Sequence, residues 1–260
     1  MNGRRHTRLW ILVAAASTIV LAAAWLGTYL RAPRLTPELR GRELAENLGC
    51  FACHGPGGVG GVPNPGSTEK EIPAWDGGTA MMYVEEESEI AEWILFGRPH
   101  RLSGQSGALP DSASADGLPV RMRAYRDLVS VGELADLVAY FKAVAAYDKP
   151  PPGRALDGYA VARQSGCFGC HGPGGLLGST NPRSFKGYIP PWRGPDYSEL
   201  VRSDDELTQW ITEGKIDRFE RNRLANHFTR RQLIRMPAYG EMLTEEQLES
   251  LMAYIRWLQE

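Results

Sequence analysis

The four cysteines of this chain occur as two pairs with the same spacing, and a histidine follows each pair. Residues 50–54 read CFACH and residues 167–171 read CFGCH. Two thiols three positions apart can form thioether bonds to both vinyl groups of one haem, and the adjacent histidine can then bind the iron. The sequence therefore predicts two covalently attached haem c groups. The attachment residues are Cys50, Cys53, Cys167 and Cys170, and the proximal iron ligands are His54 and His171.

Other uses of paired cysteines fit the pattern less well. A zinc site would need both pairs to converge on one metal, yet each pair lies in its own copy of a repeat. A thioredoxin-like pair is expected near alternating strands and helices, and the sequence shows no convincing run of alternating strands. Four cysteines in this arrangement also exclude a disulfide scaffold.

The sequence around each pair is repeated from position 50 to position 167. Residues 50–65 and 167–182 are identical at eleven of sixteen positions. An Ile-Pro-x-Trp segment follows in both copies, and Arg-Met-x-Ala-Tyr occurs at residues 121–125, with its counterpart Arg-Met-Pro-Ala-Tyr at residues 235–239. This agreement predicts a tandem duplication of one domain, since two copies of this length are not a solenoid.

Two methionines stand at corresponding positions of the copies. Met122 and Met236 follow their histidines by 68 and 65 residues, whereas Met81 and Met82 have no counterpart in the second copy. A lone methionine is often a core filler, but its recurrence within one motif favours iron ligation. We expect Met122 and Met236 to be the sixth ligands. A thioether ligand raises the reduction potential, and it leaves no open position on the iron.

On these motifs, both halves resemble class I cytochrome c domains, and the likeness covers about residues 36–260. With its N-terminal apolar segment, the chain is similar to membrane-bound dihaem cytochromes, among them the CcoP/FixP-type subunits. The resemblance implies an all-α fold. In each domain the first helix would end at the haem motif, a later loop would supply the methionine, and the last helix would pack back on the first.

The resemblance also suggests residues that support the haem. Pro65 and Pro182 correspond to the proline whose carbonyl accepts the N–H of the proximal histidine, with Pro63 as a rival in the first copy. Trp75 and Trp192 are expected either to donate an indole N–H to a haem propionate or to pack in the core.

Local signals predict helices on both sides of each haem motif. Thr36-Pro37 is typical of a helix start, and Ser-x-x-Glu or Thr-x-x-Gln capping boxes begin at Ser130, Ser203 and Thr244. Apolar residues follow Ser130 and Thr244 at helical spacing.

The N-terminal segment predicts a membrane anchor. Residues 9–30 form an uncharged run of 22 residues, which as a helix would span ~33 Å and so cross a bilayer core. Arg4, Arg5 and Arg8 precede it, so the positive-inside rule orients this end toward the cytoplasm. A cleaved signal peptide, with Ala22–Ala24 as the cleavage site, is the alternative.

These boundaries give a four-part chain. Residues 1–35 are the cytoplasmic tip and transmembrane anchor, residues 36–148 the first cytochrome c domain and residues 154–260 the second. Between the two domains, residues 149–153 (KPPPG) form a stiff Pro-rich linker.

The predicted function is electron transfer and not catalysis at an open iron. Electrons would pass from a quinol-oxidising complex or dehydrogenase to a terminal oxidase or reductase, by way of a mobile carrier or a fixed subunit of a respiratory or photosynthetic complex. The alternative is a dihaem oxidoreductase such as a peroxidase or a thiosulfate dehydrogenase. The expected location is the bacterial inner membrane, single-pass, with the haem domains on the periplasmic side.

The charge distribution bears on partners. The formal net charge is -2, and no basic field large enough for nucleic acid appears. Arginines cluster before Met236, including Arg230 and Arg231, and one-sign clusters steer oppositely charged partners. The sequence therefore predicts a redox partner with an acidic docking face near the second haem, and contact with the membrane through the N-terminal helix.

Overall fold

A computed structural model describes residues 3–65, 67, 70–103 and 120–260. Helices predominate in this part of the chain, as the sequence predicts. The α-helices, in chain order, are α1 (Gly3–Arg31), α2 (Pro37–Asn47), α3 (Phe51–His54), α4 (Glu87–Phe96), α5 (His100–Ser103), α6 (Val131–Ala145), α7 (Arg154–Gln164), α8 (Phe168–His171), α9 (Pro195–Leu200), α10 (Asp204–Glu213), α11 (Asp217–Arg221), α12 (Arg223–Arg231) and α13 (Glu245–Trp257). Short 3-10 turns lie at Pro56–Gly58, Thr79–Met82 and Pro173–Gly175.

Two small antiparallel strand pairs accompany the helices. β1 (Val62–Pro63) pairs with β2 (Glu71–Ile72), and β3 (Ser179–Thr180) pairs with β4 (Tyr188–Ile189). The sequence analysis did not anticipate them, because strands of two residues are too short to show alternation. Each pair closes the loop after a haem motif and returns the chain toward that motif.

The first and last helices of each half pack together through a glycine. A Cβ atom at Gly41 of α2 would lie 1.9 Å from the carbonyl oxygen of Asp136 in α6. Likewise, a Cβ atom at Gly158 of α7 would lie 1.9 Å from the carbonyl oxygen of Ser250 in α13. Only a residue without a Cβ lets these backbones approach so closely. The predicted packing of the last helix on the first is therefore present in both halves.

The N-caps follow the sequence signals with two exceptions, at Thr36 and at Ser203. Helix α2 begins directly after Thr36 as predicted, but among the described residues the Thr36 hydroxyl makes no capping hydrogen bond. Ser130 and Thr244 form complete capping boxes with Glu133 and Gln247. The hydroxyl of Ser203 accepts the backbone N–H of Glu206, as predicted, but the Glu206 carboxylate accepts from the N–H of Arg202 and not from the cap residue. The Glu206 carboxylate does not complete the capping box because both of its oxygens also accept hydrogen bonds from Arg218.

Helix α1 contains the predicted apolar run. Residues Trp10–Arg31 are long and apolar enough to cross a membrane, and none of the described residues in this window is buried against the rest of the chain. Trp10 and Trp25 are 70% and 67% exposed. An apolar helix whose described side chains from Trp10 to Leu30 are exposed is suited to lipid.

The N-terminal half (residues 36–148) and the C-terminal half (residues 154–260) contact each other. Leu176 and Leu177, which follow the second haem motif, pack against the hydrophobic core of the N-terminal half. The fully buried carboxylate of Glu38 pairs with Arg193 across the contact. The two halves are therefore held together by apolar and charged contacts, and the proline-rich segment is not their sole connection.

The segment between α1 and α2 also contacts the C-terminal half. Arg34 donates its backbone N–H and its Nε–H to the carboxylate of Asp196, at 3.0 and 2.8 Å. Its terminal nitrogen donates to the carbonyl oxygen of Pro195 at 3.0 Å. The C-terminal half is thereby tied to the chain three residues after the end of α1.

Candidate haem sites

The Cys-x-x-Cys-His motif of the C-terminal half forms one helical turn directly after α7. The N–H of Cys167 donates to the carbonyl oxygen of Ala162, and the N–H of His171 donates to that of Cys167, both at 3.0 Å. Positions i, i+3 and i+4 of a helix share one face, so Cys167, Cys170 and His171 point to the same side. All three line one cavity.

The motif of the N-terminal half has the same backbone. The N–H of Cys50 donates to the carbonyl oxygen of Ala45, and the N–H of His54 donates to that of Cys50, both at 3.0 Å. None of the four cysteines forms a disulfide. Within the described residues, no group of three or more His, Cys, Asp or Glu side chains is placed to hold a metal ion.

The ring of His54 is oriented by a backbone carbonyl. Its Nδ1 lies 2.9 Å from the carbonyl oxygen of Pro73, and burial lowers its pKa. The Nδ1–H bond leaves Nε2 as the free ligand atom. The prediction of Pro65 for this role was wrong, because Pro65 is exposed and the β1–β2 pair brings Pro73 to the ring. The rival, Pro63, lies in β1 and is exposed as well.

His171 has an equivalent neighbour at the same offset. Burial lowers its pKa to about 4, and the backbone carbonyl of Pro190 opposes this shift. Among the described residues its buried Nδ1 has no hydrogen-bond partner within normal geometry, and the Pro190 carbonyl is the backbone group that acts on the ring. Pro182 was a wrong prediction, because its carbonyl accepts the backbone N–H of Leu233 instead, at 3.0 Å. Pro73 and Pro190 both belong to the repeated Ile-Pro segment, which was the available signal.

A buried tryptophan lies against each histidine. The Trp75 ring centroid is 5.1 Å from that of His54, and the Trp192 centroid is 4.8 Å from that of His171. The two tryptophans are 9% and 5% exposed. Core packing, one of the two predicted roles, is therefore observed, while the hydrogen bond to a propionate stays a prediction.

The methionine loop of the C-terminal half is anchored by Asn181. Its Nδ2–H donates to the carbonyl oxygen of Ile234 and its Oδ1 accepts the N–H of the same residue, both at 2.9 Å. Gly214 packs against the next loop residues, since a Cβ there would lie 2.3 Å from the carbonyl oxygen of Met236. Met236 lines the cavity that also contains the haem motif.

The N-terminal half repeats this arrangement. Asn64 donates to the carbonyl oxygen of Val120 at 3.2 Å, and a Cβ at Gly97 would lie 2.5 Å from the carbonyl oxygen of Met122. Met122 is half-buried, whereas Met82 is 68% exposed and Met81 packs against the core. Residues 104–119, which precede this methionine motif, lie outside the described residues.

Sequence analysis missed two pairs of residues that shape these sites. Asn64 and Asn181 lie inside the repeated stretch, so their identity was visible but their role was not. Tyr140 and Tyr254 each donate a hydroxyl hydrogen bond of 2.8 Å to the Gly-Pro-Gly-Gly turn after the histidine. Burial raises the pKa of Tyr140 to about 12 and that of Tyr254 further.

The cavity in the C-terminal half suits a haem group. Its volume of about 440 Å³ lies within the usual range for cofactor sites. It presents two thiols and a histidine from one side and a thioether from the methionine loop. Its walls are mainly apolar, and the lining includes Tyr188, Ile189, Trp192, Tyr197, Leu207, Trp210, Ile211, Phe219, Leu224, Phe228, Ile234, Leu251 and Ile255. These donors and walls fit a covalently attached, six-coordinate haem.

The comparison with protein families agrees with this site. Residues 155–259 match the family model of cytochrome c. No curated protein and no solved structure matches the chain significantly. Residues 155–259 are therefore a cytochrome c domain, which implies covalently bound haem c and a haem-based role in electron transfer.

Proposed function

We propose that the chain is a membrane-tethered dihaem c-type cytochrome that carries single electrons between redox proteins. In this proposal residues 36–148 and 154–260 are two cytochrome c domains joined by residues 149–153, and residues 1–35 contain a single-pass anchor. The domains would lie on the periplasmic side of a bacterial inner membrane. The donor would be a quinol-oxidising complex or dehydrogenase, and the acceptor a terminal oxidase or reductase.

The observation that carries the second haem is the recurrence of the site scaffold in the N-terminal half. The turn of the haem motif, the Ile-Pro segment beside the histidine, the tryptophan against its ring and the asparagine at the methionine loop all recur there. Folding alone does not require the thiols, the histidine and the methionine to occur together with these supporting residues. Their joint presence therefore supports a second haem.

Each haem, when bound, supplies one-electron transfer at its iron. The cysteine thiols would hold the group covalently, and the Nε2 atoms of His54 and His171 would bind the iron. The thioethers of Met122 and Met236 would bind it as well, which would leave no position for a substrate. Pro73 and Pro190 would orient the histidine rings, and the apolar walls would exclude water.

Carbon monoxide binding tests whether both sites are saturated. Because both sixth positions are filled by methionine, we expect the spectrum of the reduced protein to stay unchanged under carbon monoxide at neutral pH. A redox titration of the same sample should show two one-electron steps. A carbon monoxide complex at one haem of the native protein would contradict the proposal and favour a peroxidase-type oxidoreductase.

A further inference from the structure

The end of the anchor helix contacts helix α12 of the C-terminal half. The guanidinium carbon of Arg31 lies 5.2 Å from the ring centroid of Phe228, and Arg31 is the last residue of the candidate membrane span. The headgroup layer on each side of the hydrocarbon core is ~5–8 Å thick. If α1 spans the membrane, α12 therefore lies at the depth of the lipid headgroups.

This contact is fixed and not incidental. Arg34, three residues after α1, is bound by Asp196 and by the carbonyl oxygen of Pro195. Lys186 and Tyr188 complete the shell of the buried Asp196 carboxylate. The C-terminal half therefore cannot turn away from the end of α1 without breaking these bonds.

Beside this contact lies a surface crevice lined by four arginines. Its volume is about 610 Å³, and no acidic side chain lines it. Among the described residues, no ion pair involves any of the four arginines. The lining residues are Arg183, Arg230, Arg231, Gln232, Leu233 and Arg235. Four unpaired cations around one crevice repel one another and create a binding site for anions.

One exposed apolar side chain lies among the arginines. Leu233 is 66% exposed and lines the crevice, whereas Phe185, Leu224 and Phe228 line the cavity that suits the haem. An apolar side chain among basic residues at headgroup depth is typical of a surface that lies in the membrane interface.

We propose that the arginine crevice binds the phosphate groups of anionic phospholipids in the membrane that holds α1. The inference rests on the proposal that α1 is a retained anchor. The sequence predicts these arginines as a contact for an acidic redox partner, but their position beside the end of α1 favours lipid. Leu224 and Phe228 also line the haem cavity, so bound lipid would fix the orientation of this haem site relative to the membrane.

Native mass spectrometry of the full-length haem protein tests the proposal. The protein is equilibrated in mild detergent with equimolar phosphatidylglycerol and phosphatidylcholine, and the retained lipids are counted. We expect phosphatidylglycerol to be retained at least about fivefold over phosphatidylcholine, since each arginine near the surface favours anionic lipid. Changing Arg183, Arg230, Arg231 and Arg235 together to Gln should reduce this ratio to about one.

A charge-matched variant is the control. Changing Arg42, Arg123, Arg126 and Arg163 to Gln removes the same charge from other surfaces and should leave the ratio unchanged. The intact mass of each sample reports whether α1 and the haem groups are present, so loss of the anchor is distinguished from loss of the lipid site. Equal retention of the two lipids by the native protein, or a preference that survives in the crevice variant, would overturn the proposal. So would slower electron transfer to an acidic protein partner in the crevice variant with unchanged lipid selectivity.

Discussion

The two halves of the chain support their histidines in the same way but enclose them differently. His54 and His171 each have an Ile-Pro carbonyl on one side and a tryptophan ring on another. Around His171 the helices α11 and α12 complete a cavity wall. The corresponding stretch of the N-terminal half is residues 98–120, of which 104–119 lie outside the described residues. The supports that surround the histidine are therefore shared, and the outer wall is where the halves differ in sequence and length.

The family model of cytochrome c matches residues 155–259, although the cysteine and histidine spacing is the same in both halves. A family model weighs the whole domain, whereas haem attachment depends on a few residues held at fixed distances. We therefore expect the N-terminal half to keep the chemistry while its outer loop has diverged.

The largest expected effects come from the two methionines proposed as sixth ligands. Met122→His and Met236→His should each lower one of the two midpoint potentials, by on the order of 0.1–0.3 V, because axial ligands set haem potentials over a wide range. Each change should also remove about half of the weak near-infrared sulfur-to-iron band of the oxidised protein. Unchanged potentials and spectra in Met122→His would show that Met81 or Met82 binds this iron instead.

Substitution of the glycines that pack against the methionine loops should have the next largest effect. Gly97→Ala and Gly214→Ala place a Cβ against the carbonyl of Met122 or Met236 in a left-handed conformation. Each should reduce the free energy of unfolding by ~2–4 kcal/mol and weaken the sulfur-to-iron band. Gly132→Ala in α6 is the control, since a Cβ there meets nothing within 4 Å.

Chemical denaturation followed at the haem absorbance measures these changes. For Gly132→Ala we expect a change within about 1 kcal/mol, in the stabilising direction. A destabilisation of Gly97→Ala no greater than that of the control would show that the loop of the N-terminal half does not pack as described.

Removing the asparagine at each methionine loop should destabilise the two halves by different amounts. Asn181 makes two hydrogen bonds to Ile234, whereas Asn64 makes one to Val120 and its buried Oδ1 has no partner among the described residues. Asn181→Ala should therefore cost more stability than Asn64→Ala, within a range of ~1–3 kcal/mol. Thermal unfolding compares the two variants directly, and equal losses would contradict the asymmetry.

Protonation of Asp196 should destabilise the C-terminal half, with the smallest effect of the set. Burial alone would raise the pKa of Asp196, but hydrogen bonds from Lys186, Tyr188 and Arg34 outweigh it and hold the pKa below its usual value. The stability from this ionised carboxylate is present above the unfolded pKa of about 3.9 and is lost as the pH falls through the lower folded value.

Asp196→Asn tests this pH dependence. It should lower stability at neutral pH and flatten the decline of stability below about pH 5. The position that corresponds to Asp196 in the N-terminal half is Thr79, so no carboxylate titrates at that position there. An unchanged slope in the variant would mean that other carboxylates govern the acid response.

The sequence was sufficient for the elements that depend on local signals. The haem motif, the helix starts at Ser130 and Thr244 and the apolar anchor run are each encoded within a few neighbouring residues. The prolines beside the histidine rings could not be identified from such local signals, because Pro73 and Pro190 reach the rings only when the two-residue strands pair. The contact between the halves was also invisible, since Glu38 and Arg193 are far apart in sequence and neither lies in a repeated motif.

Intact mass of the native full-length chain under denaturing conditions tests the central claim most directly, because thioether bonds survive denaturation. The account predicts a mass increase equal to two haem groups, one on each pair of cysteines. An increase equal to a single haem, located on Cys167 and Cys170, would contradict it and leave the N-terminal half as a domain that keeps the scaffold without the cofactor.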